Sequence, residues 1–385
     1  MKKIFVLAPY FWPAKKAGGP VKSMGAIVEL LSTNAEVKVL TQAYDVGSKT
    51  VMGDVVPDSW IRLPQCSVYY SSGSLKVLMQ IVAAGRVKDT DVVFYLNSFF
   101  AFTLSILFFI LKRFGFVKAS SKVILAPRGE FSEGALMLKP LKKRVFISLS
   151  KLARLHDGIT WHATSDEESK DIARVFGDGV TVRVAPNIVD MRIRQKVFET
   201  KKEGGRLKLI FLSRISPKKN LEYALKILMS VRAEVAFDIY GPKEDNDYWI
   251  CCEELIKKLP SNVVVRYMGP VDVDEVPDVI ARYHLFILPT LGENFCHAIA
   301  EALQCGCPVL VSDQTPWRGL AEQGVGWDIP LANSSGFSEV VEFMAGMGDE
   351  SFGGMRLKIK DYISEKVLQS DASAMTLRVF DFSNS

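Results

Sequence analysis

The stretch PTLGENFCHAIAEALQCGCP, from Pro289 to Pro308, constrains the fold of this chain more than any other. An apolar run, His284-Leu285-Phe286-Ile287-Leu288, precedes it. A second, Val309-Leu310-Val311, follows and leads to Ser312-Asp313. Strand, polar loop, helix, strand is the βαβ unit of a parallel sheet. Open α/β sheets take their ligands at a polar loop that opens a helix at the carboxyl end of a strand. The backbone N–H groups of Asn294, Phe295 and Cys296 are expected at that helix start. There the helix dipole favours an anion such as a diphosphate. Glu293 would stand at the mouth of the site. Glu301 would follow on roughly the same helix face, a little over two turns along. The two glutamates could also be ordinary solvated residues. Against this, His297, Ala298, Ile299, Ala300, Ala302 and Leu303 leave little polar surface, so a carboxylate kept among them needs a partner. A sugar or ribose diol would supply one.

The same alternation runs through the rest of the chain. Lys3 to Pro9 (KIFVLAP) is a continuous apolar run, as a central parallel strand requires. The loop Tyr10 to Pro20 ends in Gly18-Gly19-Pro20, and Val21 to Leu31 has helical spacing. Glycines there let a phosphate approach the backbone, although a plain tight turn has the same pattern. Further strands are expected at Glu36 to Thr41, Asp91 to Leu96, Val123 to Pro127 and Asp157 to Ala163. Ser165 and Glu168 have capping-box spacing at a helix start. Ile188 to Arg206 breaks the pattern and is read as a linker. A second β-α series begins at Leu207 to Leu212 and continues at Val235 to Tyr240 and Val263 to Met268. A length of 385 residues suits two domains. The boundaries are placed at 1–195 and 206–365, with a C-terminal helix, 366–385, packing back on the first domain.

Charge is uneven. Residues 1–190 hold 25 Lys+Arg against 16 Asp+Glu, a net of +9, and the remainder holds 23 against 27. The first half is therefore suited to an anionic surface or substrate. Phe99 to Leu111 is the most hydrophobic segment, too short for the roughly 20 residues of a bilayer span. The basic residues after it, Lys112, Arg113, Lys118 and Lys122, then Lys139, Lys142, Lys143 and Arg144, favour an interfacial helix on an anionic leaflet over a buried one. No basic, aromatic-interleaved pattern argues for nucleic acid. The basic, apolar start resembles a secretion signal, but its apolar core of about six residues falls short of an h-region, so it reads as a buried strand. Six cysteines without a C-x-x-C pair, beside four histidines, do not suggest zinc. They are expected to be reduced thiols in a cytoplasmic protein, peripheral at the inner face of the membrane.

These residues resemble the retaining, nucleotide-sugar-dependent glycosyltransferases of family 4. Glu293-Asn294-Phe295 through Glu301-Ala302-Leu303, then Gly306-Cys307-Pro308-Val309, matches the E-x7-E element and the G-x-P-V strand of that family. Ser213 to Asn220 (SRISPKKN) matches its G-R-L-x-x-x-K-G segment. Pro186 to Asp190 resembles its P-N-G-V-D turn, and Phe11-x-Pro13 with Gly18-Gly19 its N-terminal loop. The resemblance implies the GT-B fold, two facing Rossmann-like, doubly wound parallel-sheet domains with a cleft between them. It implies Arg214 and Lys219 on the donor diphosphate, Glu293 on the transferred sugar and Glu301 on the ribose. Gly241, Pro242 and Met268 would flank the base, Gly18 and Gly19 would approach the diphosphate, and Asn97, Arg128 and Glu130 would line the acceptor side. The implied reaction is metal-independent hexosyl transfer, without a cofactor, from a nucleotide-diphosphate sugar to a glycan or lipid-linked glycan of a surface polysaccharide or lipopolysaccharide. Asp245-Asn246-Asp247 looks like a D-x-D metal motif but reads as a surface loop. Ser213, Asn220, Ile188 and Cys296 stand where the family usually has glycine, and Asn97 where it often has histidine. Ser213, Cys296 and Asn97 keep one rival in view, a catalytically weak, membrane-docked nucleotide-sugar-binding protein; a sugar-nucleotide epimerase of similar fold is a second. No G-x-G-x-x-G follows a strand, which argues against an NAD-linked oxidoreductase.

Overall fold

A computed structural model describes residues 2–14, 16–53, 55–86, 92–118, 120–137, 140–188, 201–369 and 371–382. Most of the expected linker, 189–200, lies outside the described residues. The chain forms two compact units, Met1–Asp190 with Ser370–Ser385, and Met191–Gln369.

The first unit is built on strands β1 (Lys3–Leu7), β2 (Glu36–Gln42), β3 (Trp60–Arg62), β4 (Ser67–Ser71), β5 (Val92–Asn97), β6 (Lys122–Ala126), β7 (Thr160–Ala163) and β8 (Thr181–Val184). Between them run helices α1 (Gly19–Ser32), α2 (Ser74–Gly85), α3 (Leu107–Arg113), α4 (Glu133–Met137), α5 (Pro140–Leu152) and α6 (Asp166–Phe176). Among the described residues the sheet order is β3-β4-β2-β1-β5-β6-β7-β8, with every pair parallel except β3 with β4. The apolar run at the start of the chain is thus a central strand. Ile4 and Val6 enter one core, while Phe5 and Leu7 enter the core on the opposite face. Burial on both faces is why β1 reads as a continuous run without alternation.

Phe99 to Leu111 does not form an exposed helix, and the interfacial reading of this segment is overturned. Phe99, Leu104, Phe108, Phe109 and Leu111 are all buried in one core. The Phe99 ring packs on Phe131, Phe146, Trp161 and Phe176 at centroid distances of 5.1–6.0 Å. Only the first turn of this segment, a π-helical turn at Phe102–Ile106, carries a strongly exposed aromatic, Phe102. A cluster of large rings fills more volume beneath the sheet than aliphatic side chains would, and this accounts for the composition.

The second unit holds β9 (Arg206–Leu212), β10 (Glu234–Tyr240), β11 (Val263–Gly269), β12 (Leu285–Leu288), β13 (Val309–Ser312) and β14 (Gly326–Ile329). Its helices are α7 (Leu221–Leu228), α8 (Asn246–Ile256), α9 (Val276–Ile280), α10 (His297–Gln304), α11 (Ser334–Gly346) and α12 (Asp349–Gln369). All its strand pairs are parallel, in the order β11-β10-β9-β12-β13-β14. The chain lays β9, β10 and β11 outward in one direction and then returns to the other side of β9. The carboxyl ends of β9 and β12 therefore flank the topological switch point, where doubly wound sheets bind ligands.

The last helix, α13 (Ala372–Val379), belongs to the first unit. Val379 and Phe380 are buried in its core, and the Phe380 ring lies 5.1 Å from Tyr95. Asp381 pairs with Lys122 and Arg183. Burial raises the affinity of the Asp381 carboxyl for its proton. The hydrogen bonds and charges of Lys122 and Arg183 outweigh this and hold its pKa below the usual carboxylate value. A depressed folded pKa gives stability above the unfolded pKa that is lost as pH falls through the folded one. The side chain is half exposed, so the contribution is small. Asp381→Asn is expected to cost about 0.5–1 kcal/mol at neutral pH, and urea midpoints should show the gap closing on acidification.

Candidate active site

The loops after β9 and β12 are tied together at the switch point. Pro217–Lys219 forms a short 3-10 turn, and Asn220 follows with φ 59°. Asparagine tolerates this left-handed conformation better than most residues, so it can stand where the related motif has glycine. The Asn220 amide donates to Pro289 O at 3.0 Å, while Thr290 Oγ1 and Leu291 N both donate to Lys218 O. This lacing brings Lys219 and Glu293, 74 residues apart, to 2.5 Å between Nζ and Oε1. Thr290 Oγ1 shares its one proton between Lys218 O and the same carboxylate oxygen, 2.9 Å away, and the Glu293 N–H donates to Gln314 O. Lys219 and Glu293 are almost completely buried, with side-chain exposures of 11% and 10%. A close ion pair at the carboxyl edge of a sheet is thus the centre of the site. Burial lowers the pKa of neighbouring Lys218, Glu293 opposes that shift, and the charges of Lys219 and Arg214 add to it.

Not every expected residue joins this centre. Arg214 is half exposed, and its Nη1 donates to Glu244 Oε1 at 2.7 Å. Gly241 and Pro242 lie just beyond β10, with Gly241 N–H donating to Gly269 O and Pro242 O accepting from Ile215 N. Met268 is exposed near the end of β11. The helix after β12 starts later than the sequence suggests. It begins at His297, with Cys296 before it at φ 65°, so Asn294 and Phe295 belong to the loop. Glu293 therefore does not share a helix face with Glu301. Glu301 is buried in the middle of α10. Phe295 O accepts from Trp317 Nε1 at 2.6 Å, and the Phe295 ring lies between His297 and Trp317. Thr290, Gln314 and Trp317 support the site but were not singled out by sequence. Thr290 sits inside the PTLGEN stretch, so its position was a readable signal; Trp317 lies beyond the next strand and gave none. A cavity of about 630 Å³ opens at the opposite, amino ends of β9, β10 and β12, beside Arg206, Lys208 and His284. It contains none of the assigned residues.

Asp245 is a helix cap. Its carboxylate accepts from Tyr248 N at 2.9 Å at the start of α8. That accounts for the first aspartate of the D-x-D-like sequence.

In the first unit, the carboxyl ends of β1 and β5 flank a second switch point. A cavity of about 280 Å³ there is lined by Tyr10, Gln42, Ser98, Phe100 and Glu130, among others. Gly18, at φ 64°, precedes α1, whose first residue is Gly19. Arg128, at φ 55°, donates Nε to Asn97 Oδ1, Nη1 to Asn187 Oδ1 and Nη2 to the Tyr95 hydroxyl, at 2.7–2.9 Å. Since Arg128 can only donate, Tyr95 passes its own proton toward His162 Nδ1 at 2.8 Å. His162 Nε2–H then donates to Ala185 O. Burial, aided by the Arg128 charge, lowers the His162 pKa to about 3, so the ring stays neutral. Glu130 accepts from Ser98 Oγ and from Phe99 and Phe100 N–H, which pins the loop after β5. Burial raises its pKa against these hydrogen bonds and the Lys143 charge. Ser165 caps α6 as expected, but the Glu168 carboxylate turns to Thr164 and Gly129 N–H, joining the ends of β6 and β7. Asn97, Arg128 and Glu130 are thus bonded within the fold at this edge.

All six cysteines are free thiols. Burial pushes Cys296 up to about 12, with the Glu293 carboxylate adding to the rise, and pushes Cys66 and Cys252 to about 11 and Cys305 to about 12. Burial also raises Cys307. Cys251 alone is exposed. A thiol-disulfide reagent at pH 8 should therefore titrate exposed Cys251 fast, half-buried Cys296 slowly, and the four buried cysteines only on unfolding. Cys251→Ser should remove the fast phase.

Residues 192–345 match the family model described as glycosyl transferases group 1. Among solved structures, the chain superposes on sucrose-phosphate synthase from Thermosynechococcus elongatus with a TM-score of 0.74, covering 99% of this chain and 98% of that one at 13% identity. It superposes on Anabaena Alr3699/HepE, solved with UDP and glucose, with a TM-score of 0.67, covering 98% of both chains at 15% identity. Curated relatives include the O-antigen chain mannosyltransferase B of Escherichia coli, 26% identical over 112 residues, or 28% of each chain. An uncharacterized 41.2 kDa protein in the cps region of Klebsiella pneumoniae is 23% identical over 304 residues, 77% of this chain and 80% of that protein. The chain spans 28% of the length of the first of these relatives. The region that holds the ion pair at the switch point of the second unit is thus the region similar to the group 1 glycosyl transferases, and the chain has the GT-B fold.

Proposed function

We propose that the chain transfers a hexose from a nucleotide-diphosphate sugar to a glycan or lipid-linked glycan, with retention of anomeric configuration, in the assembly of a bacterial surface polysaccharide. The buried Lys219–Glu293 pair at the carboxyl ends of β9 and β12 carries this reading. In the proposed reaction the acceptor hydroxyl attacks the anomeric carbon on the face from which the diphosphate leaves. The acceptor O–C bond forms as the bond to the diphosphate oxygen breaks, and the acceptor proton passes to the departing phosphate. Lys219 balances the growing negative charge without a metal, and Arg214 joins it on release from Glu244. Glu293 holds the transferred sugar, and Glu301 the ribose.

The O-antigen chain mannosyltransferase and the cps-region protein among the relatives support the surface-polysaccharide reading, and the UDP complexes of the structural relatives support a nucleotide donor. The basic charge of the first half favours an acceptor held at the inner face of the cytoplasmic membrane. A thermal-shift screen of nucleotide sugars tests the reading, since ligand binding raises the midpoint by mass action. One nucleotide sugar should stand out, and Lys219→Ala should abolish its shift. An unaltered shift in that variant would remove the assigned site.

A further inference from the structure

Helix α5 (Pro140–Leu152, PLKKRVFISLSKL) is apolar on the side that faces water. Leu141, Val145, Leu149 and Leu152 are exposed to 76%, 58%, 57% and 82%. At 100° per residue these four fall within about 80° of one another, a stripe roughly 16 Å long. The opposite side holds the helix to the first unit. Ile147 and Ser150 are buried, Phe146 packs on Phe99 at 5.3 Å, and Lys143 donates to Ala135 O. The exposed stripe is therefore not a core face awaiting a partner inside this unit. Lys142 borders it on one side, and Arg144 and Lys151 on the other, all exposed. The helix has four basic residues and no acidic one.

We infer that α5 docks the protein on an anionic lipid surface, with the leucine stripe in the acyl boundary and the flanking cations on the headgroups. Two observations select a bilayer over a protein partner. The stripe is aliphatic and lacks the Trp and Tyr anchors that dominate protein interfaces. The charged residues on its flanks are all cationic, the arrangement of a helix lying in the plane of an interface. No helix among the described residues is long and apolar enough to cross a membrane. The inference moves the membrane contact from the segment favoured by hydropathy, Phe99 to Leu111, to the helix that covers Phe99. It deepens the membrane-proximal acceptor of the proposed function, but it needs no donor chemistry and can stand or fall separately.

Flotation of the full chain with vesicles tests it, using phosphatidylcholine alone or with about 30 mol% phosphatidylglycerol. The wild type should float with the anionic vesicles only and be released by high salt. Leu149→Gln/Leu152→Gln and Lys142→Gln/Arg144→Gln should each lower the partition coefficient about tenfold or more. Both should leave the thermal midpoint and the nucleotide-sugar shift unchanged, since the altered side chains are exposed. Equal flotation of the leucine variant and the wild type would overturn the assignment. So would lipid-independent self-association that the leucine variant removes while the wild type ignores vesicles, because the stripe would then cover a second copy of the chain.

Discussion

Replacing Lys219 by alanine is expected to lower kcat/KM for the preferred donor by about 10²–10³-fold, or about 2.7–4 kcal/mol of transition-state stabilisation. The size follows from where the ammonium sits. It is nearly buried and held by a 3-10 turn whose carbonyl at Lys218 is bonded from the neighbouring loop. A charge fixed in advance in a partly desolvated site needs no reorganisation when the leaving diphosphate gains charge. Without a donor, Glu293 neutralises Lys219. The two variants should therefore differ in kind. Lys219→Ala should lose both kcat and kcat/KM. Glu293→Ala should lose kcat while binding the nucleoside diphosphate as well as the wild type or better, because the lysine is then released to the phosphates. The double variant should be no worse than the more damaged single one, since two members of a pair do not add. Lys219→Ala with kcat/KM within about threefold of wild type would remove the lysine from the chemistry.

The sequence made the alternation of strands and helices legible because β1, β9, β12 and β13 are buried on both faces and read as unbroken apolar runs. It also singled out Lys219 and Glu293 separately. It did not show that the two form an ion pair, because they meet through hydrogen bonds between loops 74 residues apart. Nor did it show that Arg214 faces Glu244, which pairing between the loops after β9 and β10 decides. The start of α10 was misplaced because local pattern does not report that Cys296 takes a left-handed backbone. Hydropathy misassigned Phe99 to Leu111 for a different reason. A segment can be intensely apolar because it is core, whereas α5 mixes basic, polar and apolar residues and yet leaves its leucines in water. Exposure of particular side chains distinguishes the two, and composition does not.

Gly241→Ala is expected to destabilise the chain by at least about 3 kcal/mol, read as a lower urea midpoint at unchanged slope. Gly241 has φ 137°, and a Cβ on it would lie 1.9 Å from Ser213 O and 2.7 Å from the carbonyl carbon. Both neighbours are backbone, so no side chain can swing aside. The surrounding ladder resists movement as well: Ser213 N donates to Tyr240 O, Ile215 N to Pro242 O, and Gly241 N to Gly269 O. Relieving the clash would part the ends of β9, β10 and β11 together. Gly18→Ala separates this steric cost from simple backbone strain, because Gly18 has φ 64° but nothing within 4 Å of its Cβ position. That control should cost only about 1 kcal/mol. If the two substitutions cost the same, the close approach is not what requires Gly241. If Gly241→Ala is far worse, the loop after β9, which presents Arg214, lies against β10 because residue 241 has no side chain. That would make the position a requirement of the site's architecture, whether or not a nucleotide base ever touches it.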